Sequence, residues 1–110
     1  MANDEYDYNG PYRSDIFQDI DVERDRQDEL KALGKFPMTC ADLEMTHPER
    51  LSVLVEEVGE VSHEVNEAIG RQPTNRKEAA LRRADLRKEL VQVAAVCVAW
   101  VEAIDREMER

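Results

Sequence analysis

Residues 90–101 read LVQVAAVCVAWV, an apolar run in which Gln92 is the one strongly polar side chain. The run lies within residues 75–110, which contain neither glycine nor proline and therefore favour one long α-helix. A helix that is apolar on all sides has to be covered on all sides. We expect this segment to pack against a copy of itself in a homo-oligomer, a dimer or a tetramer. The alternative is a central helix wrapped by the chain's own other helices.

The segment before this helix predicts a second helix with clear ends. Thr46 is followed three positions later by Glu49, the spacing of a capping box, and Gly70 can end a helix that begins near His47. Thr74, in the turn RQPTN, is the expected cap of the third helix. The apolar residues of the second helix recur at helical spacing and form one stripe, which consists of Leu51, Leu54, Val55, Val58, Val61, Val65, Ala68 and Ile69.

The N-terminal part of the chain has a weaker pattern. Ser14 is expected to cap a first helix that ends near Leu33, with Gly34 as its stop. Residues 35–46 have no sustained period and are expected to form a connection over the surface. Residues 1–13 lack a repeating apolar face and are interpreted as a flexible acidic arm.

Composition agrees with an all-α class and limits the partners. Glycine and proline number four each, aromatics make up 5% of the chain, and the formal net charge is -10. We therefore expect residues 14–110 to form a single all-α domain, a helical bundle of about three main helices completed by homo-oligomerisation. Such an acidic surface repels nucleic acid, whereas a divalent cation held by carboxylates still attracts the phosphates of a nucleotide.

The cysteines and the hydropathy pattern bear on the compartment. Cys40 and Cys97 lack the density of a disulfide framework and the spacing of a zinc site, and Cys97 is expected in a core. No run in the sequence is apolar for long enough to span a membrane, and no signal segment is present at the N-terminus. The sequence predicts a soluble, cytoplasmic protein without membrane or nucleic acid partners.

Oxygen-bearing side chains occur in pairs three residues apart on the second and third helices. Glu57 and Glu60 lie in VEEVGEV, and Glu89 and Gln92 lie in KELVQVA. If these helices pack antiparallel, the pairs converge and suit Mg²⁺, which prefers oxygen ligands. A solvated acidic face explains the glutamates of the second helix adequately. Gln92 favours a site, because a polar group without a partner in an apolar run is costly.

Angular position orders the acids of the second helix. At about 100° per residue, Glu57 lies on the flank of the apolar stripe, Glu60 lies further round, and Glu56 is the most exposed. His47 and His63 are interpreted as surface histidines, since neither belongs to a helical zinc motif. Trp100 is interpreted as part of the oligomer core. Glu57 is therefore the acid expected to face inward.

The segment LVEEVGEVSHEVNEA, followed after a connector by LRKELVQVAAVCVAWVEAI, resembles the all-α nucleoside triphosphate pyrophosphohydrolases, a superfamily that includes MazG, the dimeric dUTPases and the dCTP pyrophosphatases. The similarity covers roughly residues 20–105. The resemblance implies a Mg²⁺ site, with Mn²⁺ as an alternative, built from E-x-x-E on one helix and E-x-x-D on the next. Glu57, Glu60 and Glu89 match three of these ligands, and Gln92 stands where the superfamily has Asp.

The resemblance also implies an activity, the hydrolysis of a nucleoside triphosphate to the monophosphate and pyrophosphate. Glu56 matches an additional acid that activates the attacking water in some members. Gln92 as a ligand would supply an amide oxygen without a charge, so metal affinity should be lower than with Asp. The alternative is a catalytically silent helical oligomer that binds nucleotides or another protein.

Overall fold

The computed structural model describes residues 10–70 and 72–109. They form three α-helices, α1 Pro11–Ala32, α2 His47–Gly70 and α3 Arg76–Glu109, and no strand occurs within these ranges. The predicted all-α class is confirmed. The bounds of α2 are those expected from its capping box and its terminal glycine.

Helix α1 begins earlier than the sequence predicted. Gly10 is its N-cap and Pro11 its first residue, so the helix starts before Ser14. Proline suits this position because its fixed φ is helical and its missing N–H would have no partner in the first turn. The stop is as expected, since Gly34 has a φ of +77° and donates to the Lys31 carbonyl at 2.9 Å. The rest of the predicted arm, residues 1–9, lies outside the described residues.

The caps of the other helices explain where they begin. The Glu49 amide donates to Thr46 Oγ1 at 3.3 Å, and the Thr46 amide donates to Glu49 Oε1 at 2.9 Å. This reciprocal pair is the predicted capping box. In α3 the cap is Asn75, whose Oδ1 accepts the Glu78 amide at 2.8 Å, whereas Thr74 bonds to the Glu78 carboxylate. Asn75 takes the role predicted for Thr74 because its side chain reaches the free amide directly.

Helix α3 is central, with α1 and α2 packed against it. The Trp100 indole, near the end of α3, donates to His47 Nδ1 at the start of α2 at 2.9 Å, so α2 and α3 are antiparallel. Ion pairs of Asp19 with Arg87 and of Arg24 with Glu102 show that α1 runs in the same direction as α3. The antiparallel packing on which convergence of the acids depends is therefore present.

The connection between α1 and α2 contributes to the core, which corrects the expectation that it lies over the surface. Cys40 and Ala41 are buried and pack with Val96 and Ala99 of α3. Around them lie the partly buried side chains of Met45, Val53 and Leu54. A connection without helical or strand hydrogen bonds can be buried only if other groups satisfy its carbonyls.

Two arginines satisfy these carbonyls. Arg50 of α2 is fully buried, and it donates from Nε to the Cys40 carbonyl at 2.9 Å and from Nη2 to the Asp42 carbonyl at 2.6 Å. Arg106 of α3 donates from Nη1 to the Ala41 carbonyl at 2.7 Å. Three consecutive carbonyls of the connection are thus held by side chains from two different helices.

The apolar run of α3 is covered on one side only. Its small residues Ala95, Val96 and Ala99 are buried, but Leu90 is 50% exposed and Val101 55% exposed. Complete wrapping by the chain's own helices is therefore not observed. Cys97 is exposed in the single chain, so its expected core position is not found there. None of the described helices has the length and apolar character that crossing a membrane requires.

Candidate functional site

Three of the predicted acids meet between α2 and α3. Glu57, Glu60 and Glu89 each offer a carboxylate oxygen, and these oxygens lie within 4.8 Å of one another. Glu57 and Glu60 are three residues apart and share a face of α2, while Glu89 reaches them from the antiparallel α3. The convergence of these three side chains, expected from their spacing if α2 and α3 pack antiparallel, is present.

Glu57 is the most buried of the three acids of α2, as the helical wheel predicted. Glu57 is half-buried, whereas Glu60 and Glu56 are exposed. Glu89 is half-buried, beside the end of the apolar run. The cluster therefore has an inner side, at Glu57 and Glu89, and an outer side that is open to solvent.

Two oxygens on the inner side are buried without a hydrogen-bond partner among the described residues, Glu57 Oε2 and Glu89 Oε2. A buried carboxylate oxygen that has lost its water and gained no donor is costly. A hard cation accepts such oxygens as ligands. The donor set and its unsatisfied oxygens fit Mg²⁺ or Mn²⁺.

The pKa values of Glu57 and Glu89 are both raised, as expected for acids held close together. Burial raises the pKa of Glu57, and the charges of Glu60, Glu23 and Glu56 raise it further, against an opposing effect of Arg26. Burial also raises the pKa of Glu89, followed by a hydrogen bond to Glu60 and the charges of the neighbouring acids. Clustered carboxylates repel one another until a proton or a cation lies between them.

An open pocket of about 420 Å³ lies on the outer side of the cluster. Its lining consists of Glu56, Gly59, Glu60, His63, Glu64 and Glu89. The mouth is open at Gly59, where an added Cβ would meet no atom within 4 Å beyond its own stretch of helix. His63 is exposed, as predicted, and it is the one nitrogen-bearing side chain of this lining. The outer side has room for a charged ligand that carries its own metal.

A second cavity, which we call the cleft, has a volume of about 300 Å³. It lies on the inner side of the cluster, between all three helices and the connection. The sequence did not predict it, because its walls come from segments that are distant in the chain. Glu56, Glu57 and Gln92 line it together with apolar side chains; these are Phe36, Met38, Met45, Val53 and Val96. The cleft thus adjoins the acid cluster through Glu57.

Gln92 lines this cleft and also a smaller groove of about 250 Å³ against α1. It is half-buried, and its amide forms no side-chain hydrogen bond with any residue in the described ranges. Glu60 and Glu89, in contrast, line the open pocket. The four side chains predicted as one ligand set therefore border three different cavities.

Arg26 of α1 is a further candidate that the sequence did not single out. It donates to the Glu23 carboxylate from Nε and from Nη2, both at 2.8 Å, and it lines the cleft. The charge of Glu57 contributes to a raised pKa of Arg26, which places the guanidinium within electrostatic reach of the acids. Its segment, ERDRQDEL, is so rich in charge that nothing distinguished Arg26 from its neighbours.

His47 and Trp100 form a contact that the sequence did not predict. The Trp100 indole and one Arg50 guanidinium nitrogen both approach His47 Nδ1, at 2.9 and 3.0 Å. Two donors at one ring nitrogen require it to be an acceptor. The pair lies further along α3 than Glu89, next to Arg50, which holds the connection. This contact does not test the predicted role of Trp100 in an oligomer core.

A scan against protein-family models, a search of curated proteins and a search of solved structures each found no match to this chain. The resemblance of the α2 and α3 motifs to pyrophosphohydrolases stays a prediction. The functional argument therefore depends on the geometry of the acids and of the two cavities beside them.

Proposed function

We propose that this protein hydrolyses a nucleoside triphosphate to the monophosphate and pyrophosphate with the aid of Mg²⁺ or Mn²⁺. The observation that carries the proposal is the convergence of Glu57, Glu60 and Glu89, whose oxygens lie within 4.8 Å. Two buried oxygens of this set lack a partner in the described part of the chain, which is what a cation-binding set would leave when empty. The motif resemblance supplies the reaction class.

In this proposal Glu57, Glu60 and Glu89 hold the cation, which neutralises the negative charge of the triphosphate. Glu56 lines both the open pocket and the cleft, so its carboxylate can reach a water on either side of the cluster. As a general base, Glu56 takes a proton from that water. The water oxygen then bonds to a phosphorus while an anhydride P–O bond breaks, and the products are the monophosphate and pyrophosphate. Arg26 is suited to contact a phosphate oxygen.

The assembly that we propose is a homo-oligomer, a dimer or a tetramer. Large apolar side chains on α2 and α3 are left exposed by the single chain, among them Leu51, Val55, Val58, Leu90, Val98 and Val101. Exposed apolar side chains in this number favour an interface in a protein with a net charge of -10. A second copy offers a matching apolar face, since both copies carry the same residues.

Pyrophosphate release from a panel of ribo- and deoxyribonucleoside triphosphates with Mg²⁺ tests the proposed reaction. The native chain should release pyrophosphate from at least one of them, and Glu57→Gln should reduce the rate at least a hundredfold because a charged ligand is lost. Glu67→Gln is the matched control, being the same change at an exposed position of α2 outside both cavities. Absence of release from every nucleotide would favour the silent helical oligomer instead.

A further inference from the structure

The exposed side of α3 carries a row of apolar side chains at the spacing of a contact between two long helices. Steps of four, three, four and three residues connect its members, which are Leu90, Ala94, Cys97, Val101 and Ile104. Ala94 is half-buried in the single chain, and the other four are exposed. A mean step of 3.5 residues keeps side chains in line along a helix that packs lengthwise on a second helix. We call this row the α3 seam.

The opposite side of α3 is the one that the chain's own elements cover. Ala95, Ala99 and Ala103 are buried there, and α1 and α2 are the helices that pack against α3. At about 100° per residue, Cys97 lies about 160° round the helix from Ala99. The α3 seam is therefore turned toward whatever lies beyond the single chain.

The charges along α3 indicate what can lie on the seam. Residues 76–88 contain six basic and two acidic side chains, whereas residues 102–109 contain four acidic and one basic. The apolar seam lies between these two ends. A parallel second copy would place each end beside an end of the same sign, which is unfavourable, whereas an antiparallel copy places the basic end of each helix beside the acidic end of the other.

This arrangement makes α3 complementary to itself. In a dimer with a two-fold axis every contact occurs twice, so the same surface has to supply both halves of each contact. A helix with an apolar middle, a basic end and an acidic end meets that requirement when it packs antiparallel on its own copy. A partner of another sequence would have to reproduce all three parts.

We infer that a second copy of this chain covers the α3 seam in antiparallel orientation, with the two Cys97 side chains facing each other at the two-fold axis. Residue 97 is the midpoint of the seam, because Leu90 and Ile104 are each seven residues away from it. Leu90 of one copy therefore lies opposite Ile104 of the other. The inference rests on the homo-oligomer proposed above and is independent of the proposed reaction.

The first part of the test uses the native cysteines. A short bismaleimide, which joins two thiols, is added to the native chain at micromolar concentration, and the product is separated on a denaturing gel. The expected product is a covalent dimer of twice 12.7 kDa. Cys97→Ala is the control and should give no dimer, because the remaining thiol, Cys40, is buried. Failure of the native chain to cross-link would overturn the inference.

The second part determines the orientation, since a parallel pair would also bring the two Cys97 thiols together. Leu90→Cys and Ile104→Cys are introduced into the Cys97→Ala chain, singly and together. In the antiparallel pair, two copies of residue 90 lie about 21 Å apart along the axis at 1.5 Å per residue, and so do two copies of residue 104. A short reagent should therefore link the doubly substituted chain into a dimer and leave both singly substituted chains unlinked.

The doubly substituted chain cannot be linked within itself, because residues 90 and 104 are also about 21 Å apart on one helix. Val22→Cys in the Cys97→Ala chain is the matched control, at an exposed position of α1, and should stay unlinked. Dimers from either single variant at positions 90 or 104 would show parallel packing and overturn the inference. A double variant that stays unlinked would overturn it as well.

The same preparations separate this inference from the other proposals. An oligomer by light scattering without the expected cross-links contradicts the antiparallel seam and leaves the homo-oligomer standing. A folded native chain with a mass of 12.7 kDa contradicts both. Pyrophosphate release, measured on the native chain without the reagent, tests the reaction alone.

Discussion

Glu89 of α3 and Glu60 of α2 bring carboxylate oxygens within 4.8 Å of each other across the interface between the two helices. Carboxylates this close repel one another until a proton or a cation lies between them. Burial and the neighbouring acids raise the pKa of Glu89, which favours uptake of a proton when no cation is bound. Metal and proton compete for this cluster, and the first two predictions follow from that competition.

The first prediction concerns pH in the presence of a chelator. Because folding raises the pKa of Glu57 and Glu89, these two groups hold more protons in the folded chain than in the unfolded chain at pH values above about 4.5. The contribution of Glu57 and Glu89 to the free energy of unfolding is fully present below that pH. It is lost as pH rises through the pKa values that these two groups have in the folded chain. Glu49 and Asp42, whose pKa values are lowered, act in the opposite direction. The informative quantity is therefore the difference in melting temperature between the native chain and Glu89→Gln.

Glu89→Gln should gain stability relative to the native chain as pH rises from about 4.5 toward neutrality, because glutamine lacks the charge that burial and the neighbouring acids disfavour. Melting followed by circular dichroism in EDTA gives this difference. A difference that stays constant over the whole range would show that Glu89 titrates as an ordinary exposed acid.

The second prediction concerns the cation itself. Mg²⁺ or Mn²⁺ should raise the melting temperature at pH 7, by a free energy of about 2.7 kcal/mol when the metal is at a hundredfold excess over its dissociation constant. Glu57→Gln should abolish this rise, while Glu67→Gln, on the exposed side of α2, should keep it. A metal response that survives in Glu57→Gln places the cation elsewhere on this acidic chain.

The third prediction concerns the buried arginine. Arg50→Met should destabilise the fold by roughly 2–5 kcal/mol, because the carbonyls of Cys40 and Asp42 lose their donors while remaining buried. Urea unfolding at pH 7 measures the change, with Arg83→Met on the exposed surface of α3 as the control. If the two variants were equally stable, the connection would not depend on Arg50.

The fourth prediction concerns the exposed apolar face of α3. Light scattering should give a multiple of 12.7 kDa for the native chain at micromolar concentration. Val101→Glu, at a position 55% exposed in the single chain, should lower the mass because the charge would be buried in the interface without a partner. Val22→Glu makes the same change at a position 59% exposed on α1 and should leave the mass unchanged. A mass of 12.7 kDa for the folded native chain would exclude the proposed assembly.

Sequence patterns predicted the parts of this molecule that depend on neighbours along the chain. The Thr46–Glu49 box and Gly70 set the ends of α2, because caps act over three or four residues. The three-residue spacing of Glu57 and Glu60 set their common face. Glu89 joined them through one additional assumption, the antiparallel packing of α2 and α3, which a short turn between amphipathic helices favours.

The rest depends on contacts between distant segments, which have no periodic signature. Nothing in the sequence distinguishes Arg50 from the other arginines, yet it is fully buried and donates to carbonyls of the connection. The connection itself was assigned to the surface since nothing in residues 35–46 shows that α2 and α3 leave a gap for it. The cleft, which Gln92 helps to line, forms only once the connection has filled that gap.

Arg106 reaches the Ala41 carbonyl across 65 residues of sequence, so one wall of the cleft depends on the last turns of the chain. Contacts this far apart form late, after the entropy of closing a long loop has been overcome. The cleft therefore cannot persist in a partly folded chain from which the C-terminal end of α3 has detached. A substitution that breaks the bond of Arg106 should therefore speed amide hydrogen exchange in the connection and in the final turns of α3 together, although the two are separated by most of the sequence.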